Sequence, residues 1–209
     1  SYEVCAECEG TRLKPQALNW RLGNKIDVDA AGRSLPRFRP ASLTMSQNQF
    51  AALPGLTLHD ITRLPIEQCQ RFFEAFAARE EIDEATELLL DEIRTRIRFL
   101  VDVGLGYLTL DRQSRTLSGG EVQRINLTTA LGTSLVNTLF VLDEPSIGLH
   151  ARDMQRVIGV LHRLRDAGNS LIVVEHDEQV MRAADRILDM GPGPGEKGGE
   201  IVFYGTAAQ

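Results

Sequence analysis

Hydrophobic residues recur with two different periods along this 209-residue chain. In residues 66–78 and 82–103 the apolar side chains lie three and four positions apart, which is typical of amphipathic helices. After Gly104 the pattern changes to short apolar runs separated by amphipathic segments. These runs occupy residues 139–142, 171–174, 187–188 and 200–204. Strands that alternate with helices predict a parallel sheet with helices packed against it, and the last run, after a glycine pair, predicts an edge strand.

The region before the first helical pattern differs in character. Residues 10–40 are irregular and basic, so we expect loops with short strands there and helices from about Pro65 onward. The predicted fold class is α/β. A helical subdomain with a basic insertion at about residues 14–65 is predicted to occupy residues 1–136, and a lobe built on a parallel sheet to occupy residues 137–209.

Composition is that of an ordinary globular protein, with 43% hydrophobic and 25% charged residues. The formal net charge of -6 argues against a uniformly basic nucleic-acid-binding surface. No apolar run approaches the ~18 residues of a membrane span, and no signal-peptide pattern is present. Three cysteines, an odd number, disfavour a disulfide framework, so we expect a reducing, cytoplasmic location. Because the sequence begins at Ser1 rather than Met, we expect it to be part of a longer chain.

A glycine pair precedes a helical segment at residues 118–121. Gly119 and Gly120 allow backbone amides to approach an anion closely, Ser118 offers a hydroxyl, and the following helix directs its positive end to the same point. We predict that this loop, including Glu121, binds a nucleotide phosphate. The alternative is a helix N-cap, in which Ser118 accepts hydrogen bonds from the first turn.

These two interpretations predict different effects of a methyl group at Gly120. A loop that approaches a phosphate has no room for it, whereas a helix cap tolerates alanine. We therefore expect Gly120→Ala to leave thermal stability nearly unchanged while it reduces the response to ATP.

Two adjacent carboxylates, Asp143 and Glu144, end the apolar run at 139–142. The last residues of a buried strand lie at the carboxyl edge of the sheet, where open α/β folds bind their ligands. Because successive side chains point in different directions, Asp143 is predicted to serve Mg²⁺ and Glu144 to orient the attacking water. The alternative is a plain strand-to-loop junction, although paired acids repel one another unless something offsets their charge.

Polar residues also follow both of these strands. A tight loop that contains Ser146, Gly148 and His150 comes directly after the two acids, and His176 follows the apolar run at 171–174. A histidine at the end of a strand is most often structural. Its spacing from the acids makes a hydrogen bond to a terminal phosphate the preferred interpretation here.

Taken in this order, the four elements resemble those of the ABC ATPases: signature loop, Walker B strand with catalytic glutamate, D-loop and switch-histidine strand. Further segments look like the first ATPase unit of the UvrA family, the damage-recognition component of the ABC excinuclease. These segments are CAECEGTRL at 5–13, VGLGYLTL at 103–110, LDEPSIGLH at 142–150, VEHD at 174–177 and GPGPG at 191–195. The resemblance covers residues 1–13 and 66–206.

This resemblance implies a DNA-damage recognition ATPase of nucleotide excision repair and of the SOS response, with ATP and Mg²⁺ as cofactors. The implied partners are damaged duplex DNA, a second ABC unit in the same chain, another copy in a homodimer and a helicase-like repair protein. In this family Glu144 would polarise water, His176 would sense the γ-phosphate, and the signature loop would close over ATP held by the opposing unit. The motif GxxxxGK[ST] is absent from the sequence, so we expect no hydrolysis by this chain alone.

Two further sites are weaker candidates. Cys5 and Cys8 have the spacing of half a tetrahedral zinc site, which needs two more ligands. Arg33, Arg37 and Arg39 lie in the basic insertion and are candidates for DNA contact, with a solvated loop as the alternative.

Two other functions remain open at this point. One is the C-terminal head lobe of an SMC or Rad50-like ATPase, which also has signature and Walker B motifs; the prolines and the lack of heptads in residues 1–65 disfavour it. The other is a non-catalytic zinc or DNA adaptor, which the intact Asp143 and Glu144 disfavour. Within the UvrA resemblance, a repair protein and a drug-resistance paralogue are not distinguished.

Overall fold

The computed structural model describes residues 3–32, 37–79, 82–133, 135–193 and 198–209, with the backbone alone at 151 and 152. The chain forms two compact units. The first comprises residues 1–101 and 105–116, and the second comprises residues 102–104 and 117–209. The units therefore divide near Leu117, so the glycine-pair helix belongs with the lobe that carries the acids. A domain boundary at residue 136 stays a prediction for the longer protein.

The first unit is helical. Its elements are α1 (Lys25–Ala31), α2 (Gln47–Ala52), α3 (Leu58–Thr62), α4 (Ile66–Ala77), α5 (Glu84–Asp102) and two 3-10 turns, Pro15–Asn19 and Ser114–Thr116. The helices predicted over 66–78 and 82–103 are confirmed as α4 and α5.

In the basic insertion, the loops predicted over residues 10–40 are present around α1, but the short strands predicted there and the start of helices only at about Pro65 are wrong. Among its described residues, the only β pairing is a single bridge between Leu22 and Leu56, and helices begin as early as α1. Side chains stabilise these short helices, because Asn24, Ser46 and Thr57 each form a capping box with the residue three positions later.

The core of the first unit is built on α4, which packs against α1. Phe72 is fully buried, and its ring meets the Phe73 ring edge-on at 5.4 Å between centroids. Asp27 of α1 is buried with them; its carboxylate forms an ion pair with Arg79 and accepts the Asn24 backbone N–H at 2.7 Å. The buried charge is thus both paired and hydrogen-bonded.

The second unit contains both helices and strands. Its elements are α6 (Gly119–Leu131), β1 (Leu139–Asp143), α7 (Ala151–Asp166), β2 (Ser170–Val174), α8 (Glu178–Ala183), β3 (Ile187–Gly191) and β4 (Glu200–Gly205). Strands β1 and β2 are parallel, with Leu139 opposite Ser170 and Asp143 opposite Val174. The predicted α/β class and its parallel pairing are confirmed.

The third predicted strand does not extend this parallel sheet. In the described part of the chain, β3 pairs with β4 instead, and the two are antiparallel with a register shift between Asp189 and Met190. Only residues 192–199 separate β3 from β4, which is too short for the crossover that parallel pairing requires.

The parallel pair is covered on one face only. Val173 packs against Met154 and Ile158 of α7, and Leu142 is buried. The alternate positions are exposed by about half or more; they are Leu139 (57%), Val141 (65%), Ile172 (54%) and Val174 (49%). The strands predicted to be buried are therefore buried on one face only in this chain. No helix among the described residues is long and apolar enough to cross a membrane.

We expect Cys69 to resist a thiol reagent in the folded chain. Burial on α4 raises the pKa of this thiol to about 12, so almost no thiolate is present at neutral pH. Cys5 is exposed, and a hydrogen bond from the Cys8 backbone amide holds its pKa below the ordinary value. Labelling with a chromogenic disulfide reagent should modify Cys5 and Cys8 at once and Cys69 only in guanidinium. Equal labelling of all three would contradict the packing of α4.

Candidate functional site: the carboxyl edge of the parallel pair

The predicted acids and the histidine meet at one edge of the sheet. Because β1 and β2 run in the same direction, the residues that follow them emerge side by side. The Glu144 backbone N–H donates to the Val174 carbonyl at 2.8 Å, which continues the ladder one residue beyond β1. Nε2 of His176 then lies 3.6 Å from Oε1 of Glu144. The structure thus brings together Asp143, Glu144 and His176, as the sequence predicted.

Glu144 occupies an uncommon backbone conformation. Its φ is 46°, in the left-handed region that residues with a side chain seldom adopt. The conformation starts a tight turn, closed by a hydrogen bond from the Ile147 N–H to the Glu144 carbonyl at 3.0 Å. The Glu144 and His176 side chains are 45% and 83% exposed, and Asp143 is exposed too. All three polar groups are therefore accessible to a ligand.

A carboxylate that the sequence did not single out holds the next loop. Both oxygens of Glu175 are engaged by Ser146, one by its backbone N–H and the other by its hydroxyl, each at 2.8 Å. Gly148 has a φ of 76° and no atom near its missing Cβ, while the His150 carbonyl accepts the Asp153 N–H at the start of α7. Ser146 is thus fixed within the site, whereas Gly148 faces open space.

Ser118 acts as the N-cap of α6. Its hydroxyl accepts the Glu121 N–H at 3.3 Å, and the buried Glu121 carboxylate accepts the Ser118 N–H at 2.7 Å. The helix-cap interpretation is therefore present in the structure. Ser118 and Gly119 are nevertheless exposed, and no atom lies within 4 Å of the position that a Cβ on Gly119 would take. The cap and an open anion-binding loop coexist in one segment.

The packing around Gly120 argues against the expectation that Gly120→Ala leaves stability unchanged. Gly120 is buried, and a Cβ there would lie 2.7 Å from Cγ2 of Ile147 and 3.3 Å from a guanidinium nitrogen of Arg124. The lack of a side chain at this position lets α6 approach the loop after β1. Gly119 rather than Gly120 is the open glycine of the pair.

Two polar residues of α6, missed at the sequence level, contact the same edge through its backbone. The Gln123 side-chain amide donates to the Asp143 carbonyl at 2.9 Å and accepts the Asp143 N–H at 3.1 Å. Arg124 is 1% exposed and donates to the carbonyls of Pro145 and Ile147, both at 3.0 Å. Their partners lie 20 or more positions away in the chain, so no local sequence pattern pointed to them.

The weaker candidates lie in the first unit. Cys5 and Cys8 are not disulfide-bonded, and the described residues contain no group of three or more side chains that could hold a metal ion. Arg37 donates to the Leu53 carbonyl at 2.7 Å, and Arg39 bonds Gln47 Oε1 at 2.9 Å and the Met45 carbonyl at 2.5 Å. These arginines therefore have structural partners within the insertion. Their contact with DNA stays a prediction, and Arg33 lies outside the described residues.

Comparison with known proteins gives consistent relatives, although no protein-family model matches. The chain is 51% identical over 170 residues to UvrABC system protein A of Methanothermobacter thermautotrophicus, covering 81% of this chain and 17% of that protein. It is 46% identical over 208 residues to the protein of the same name in Thermus thermophilus, covering 99% and 19%. Among solved structures, it matches UvrA2 from Deinococcus radiodurans with a TM-score of 0.73 and 35% identity, over 98% of this chain and 23% of that one.

These similarities extend across nearly the whole chain and include the edge where Asp143, Glu144 and His176 meet. They support the resemblance that the motifs indicated and give no support to an SMC-like head or an adaptor module. The chain spans about a fifth of the length of the curated relatives it matches. The identity to these relatives over most of the chain shows that it belongs to the UvrA family.

Proposed function

We propose that this chain is the signature and Walker B part of an ABC-type ATPase unit that couples ATP hydrolysis to recognition of damaged DNA in nucleotide excision repair. The observation that carries the proposal is the meeting of Asp143, Glu144 and His176 at the carboxyl edge of β1 and β2. Carboxylates and an imidazole exposed at this edge match the demands of phosphoryl transfer, which requires positioning and charge stabilisation more than covalent chemistry.

Each group has a role that its geometry suits. Asp143 offers exposed carboxylate oxygens, the ligand type that Mg²⁺ prefers, and the ion would supply charge neutralisation at the phosphates. Glu144 accepts a hydrogen bond from the attacking water and orients it. His176, 3.6 Å from Glu144, donates to the terminal phosphate oxygen. Ser118 and Gly119 present a hydroxyl and backbone amides to a nucleotide held by another lobe.

The bare face of the parallel pair supports a composite site. Leu139, Val141, Ile172 and Val174 form an apolar surface that is exposed in this chain. An apolar strand face of this kind is stable in water only when another layer covers it. The sequence contains no GxxxxGK[ST] loop, and the lobe that carries such a loop in the longer protein is the proposed cover.

The remaining partners are those that the family resemblance implies, and no contact of the described residues involves them. As part of a UvrABC system protein, the longer chain would bind damaged duplex DNA, contain a second ABC unit, form a homodimer and transfer the lesion to a helicase-like repair protein. A cytoplasmic location fits the odd number of cysteines. Zinc at Cys5 and Cys8 requires two further ligands from outside the described residues, and DNA contact is proposed for Arg33, Arg37 and Arg39.

In the full-length protein, Glu144→Gln is expected to lower kcat for ATP hydrolysis by roughly a hundredfold or more while nucleotide binding persists. The amide no longer polarises water, whereas Asp143 remains available to the metal. Steady-state hydrolysis and equilibrium binding of labelled ATP measure the two effects. Glu178→Gln, on an exposed α8 residue that pairs with Arg182, is the matched control and should change neither. Loss of ATP binding in Glu144→Gln would show that Glu144 is a ligand or a structural residue.

The 209-residue chain by itself is expected to hydrolyse no ATP, because the loop that grips the β- and γ-phosphates is absent from its sequence. Phosphate release by the purified chain is the measurement. Turnover that disappears on Glu144→Gln would contradict a composite site.

Two alanine substitutions separate the exposed glycine from the buried one in the full-length protein. Gly119→Ala should leave the melting temperature nearly unchanged, since its Cβ enters open space, but reduce ATP-dependent DNA binding by blocking close approach to phosphate. Gly120→Ala should destabilise by about 1–3 kcal/mol, because Ile147 and Arg124 must move. Melting curves and DNA affinity with and without ATP give the comparison. An intact ATP response in Gly119→Ala would leave the loop as a helix cap alone.

A further inference from the structure

Residues 145–147, the D-loop segment that follows the acids, are held from two sides. Arg124 of α6 donates to the carbonyls of Pro145 and Ile147. Between these two carbonyls, the Ser146 N–H and hydroxyl donate to the Glu175 carboxylate. Three successive residues are thus bonded alternately to the helix of the signature loop and to the end of the histidine strand.

The two hydrogen bonds on the helix side come from a charged, buried donor, Arg124. Arg124 is 1% exposed, and Pro145 is also fully buried. Hydrogen bonds from a charged donor are shorter and stronger than neutral ones, and their strength grows where water is excluded. Because one guanidinium nitrogen serves both carbonyls, a shift of α6 displaces Pro145 and Ile147 together.

The bond on the strand side continues to the histidine. Besides Ser146, Oε2 of Glu175 accepts the backbone N–H groups of His176 at 3.1 Å and Asp177 at 3.4 Å. A single carboxylate therefore sets the position of the D-loop relative to the backbone that carries His176. Neutral or shorter side chains at this position lack either the charge or the reach for four donors.

A second contact connects α6 to the end of β1, where the two acids lie. Gln123, next to Arg124 on α6, bonds both backbone groups of Asp143. The helix that starts at the signature loop is consequently attached to the end of β1 and to the loop after it. The described contacts form a continuous path from Ser118 through α6 and the D-loop to Glu144 and His176.

We infer that Arg124 and Glu175 are positioning residues that make the D-loop a link between the signature loop and the Glu144–His176 pair. The inference rests on the proposed function and deepens it. In a composite ATPase, the signature loop senses a nucleotide held by another lobe, while Glu144 and His176 act on the nucleotide of their own lobe.

The first test measures the link itself and needs no activity. In the full-length protein, Glu175→Ala should speed hydrogen exchange of the peptide that contains residues 144–149, because the Ser146 amide loses its acceptor. Arg124→Lys, which keeps the charge but not the planar fork, should have the same effect. Glu178→Ala removes an equal charge three positions away and should leave that peptide unchanged. Unchanged exchange in both Glu175→Ala and Arg124→Lys would overturn the inference.

The second test measures the consequence for hydrolysis. Glu175→Ala should lower kcat by roughly ten- to a hundredfold at an unchanged KM for ATP, since misplacement of reacting groups on this scale costs that much. Glu175→Gln, which keeps an acceptor for the Ser146 amide, should recover part of the loss. The double variant Glu175→Ala/Ser146→Ala should be no slower than Glu175→Ala alone, because the single substitution already removes the hydrogen bond between these two side chains.

The outcomes separate this inference from the proposed function. If the unsubstituted full-length protein hydrolyses ATP and Glu144→Gln abolishes it, the proposed function stands. A kcat that Glu175→Ala leaves unchanged, or a loss that only follows a lower melting temperature, then overturns the positioning role alone. If the unsubstituted protein hydrolyses no ATP, the proposed function fails, and the exchange measurement still decides whether Arg124 and Glu175 hold the D-loop.

Discussion

Parallel pairing of β1 with β2 is the constraint on which the candidate site depends. The five paired positions fix the register, and the Glu144 N–H extends the ladder to the Val174 carbonyl. Only this register places the Glu144 carboxylate beside the His176 imidazole. A slip of one residue would turn each side chain to the opposite face of the sheet, so the same sequence would then present no acid–histidine pair.

The loop after β1 is held by neighbouring elements as well as by its own turn. Its backbone groups bond side chains of α6 and of the residue before His176, through Arg124 and Glu175. Gly120 is part of this arrangement because the helix meets Ile147 at the position where a Cβ would stand. Arg124 and Glu175 hold this loop largely through its backbone groups. The exposed side chains of the site therefore remain available to a ligand.

One face of the β1–β2 pair is apolar and exposed in this chain, and we expect another lobe to cover it. α7 packs against Val173 of β2, and Leu142 of β1 is buried, whereas Val141 and Ile172 remain exposed. Apolar burial contributes roughly 25 cal/mol per Å², so a layer over this face would add substantially to stability. The proposed catalytic carboxylates lie at the end of strands that we expect to depend on another lobe for both their stability and their substrate.

Local sequence patterns predicted much of the fold of this protein. Helices α4 and α5, the parallel pair and the grouping of Asp143, Glu144 and His176 were predictable, because helical spacing, short apolar runs and strand-end acids are properties of neighbouring residues. The capping boxes of the basic insertion were visible in the same way, yet its irregular composition suggested strands. Propensity in that region was outweighed by caps and by packing of α1 on α4.

Only the tertiary structure decided which polar residues serve the site. The backbone groups that bond Gln123, Arg124 and Glu175 lie at least 20 positions away from them in the chain. No local sequence period encodes such distant partners. The same holds for the difference between Gly119 and Gly120, which is set by the approach of Ile147 from a separate element. Sequence patterns report which face of an element is apolar; which element covers that face, and which backbone groups it meets, follow only from the packing.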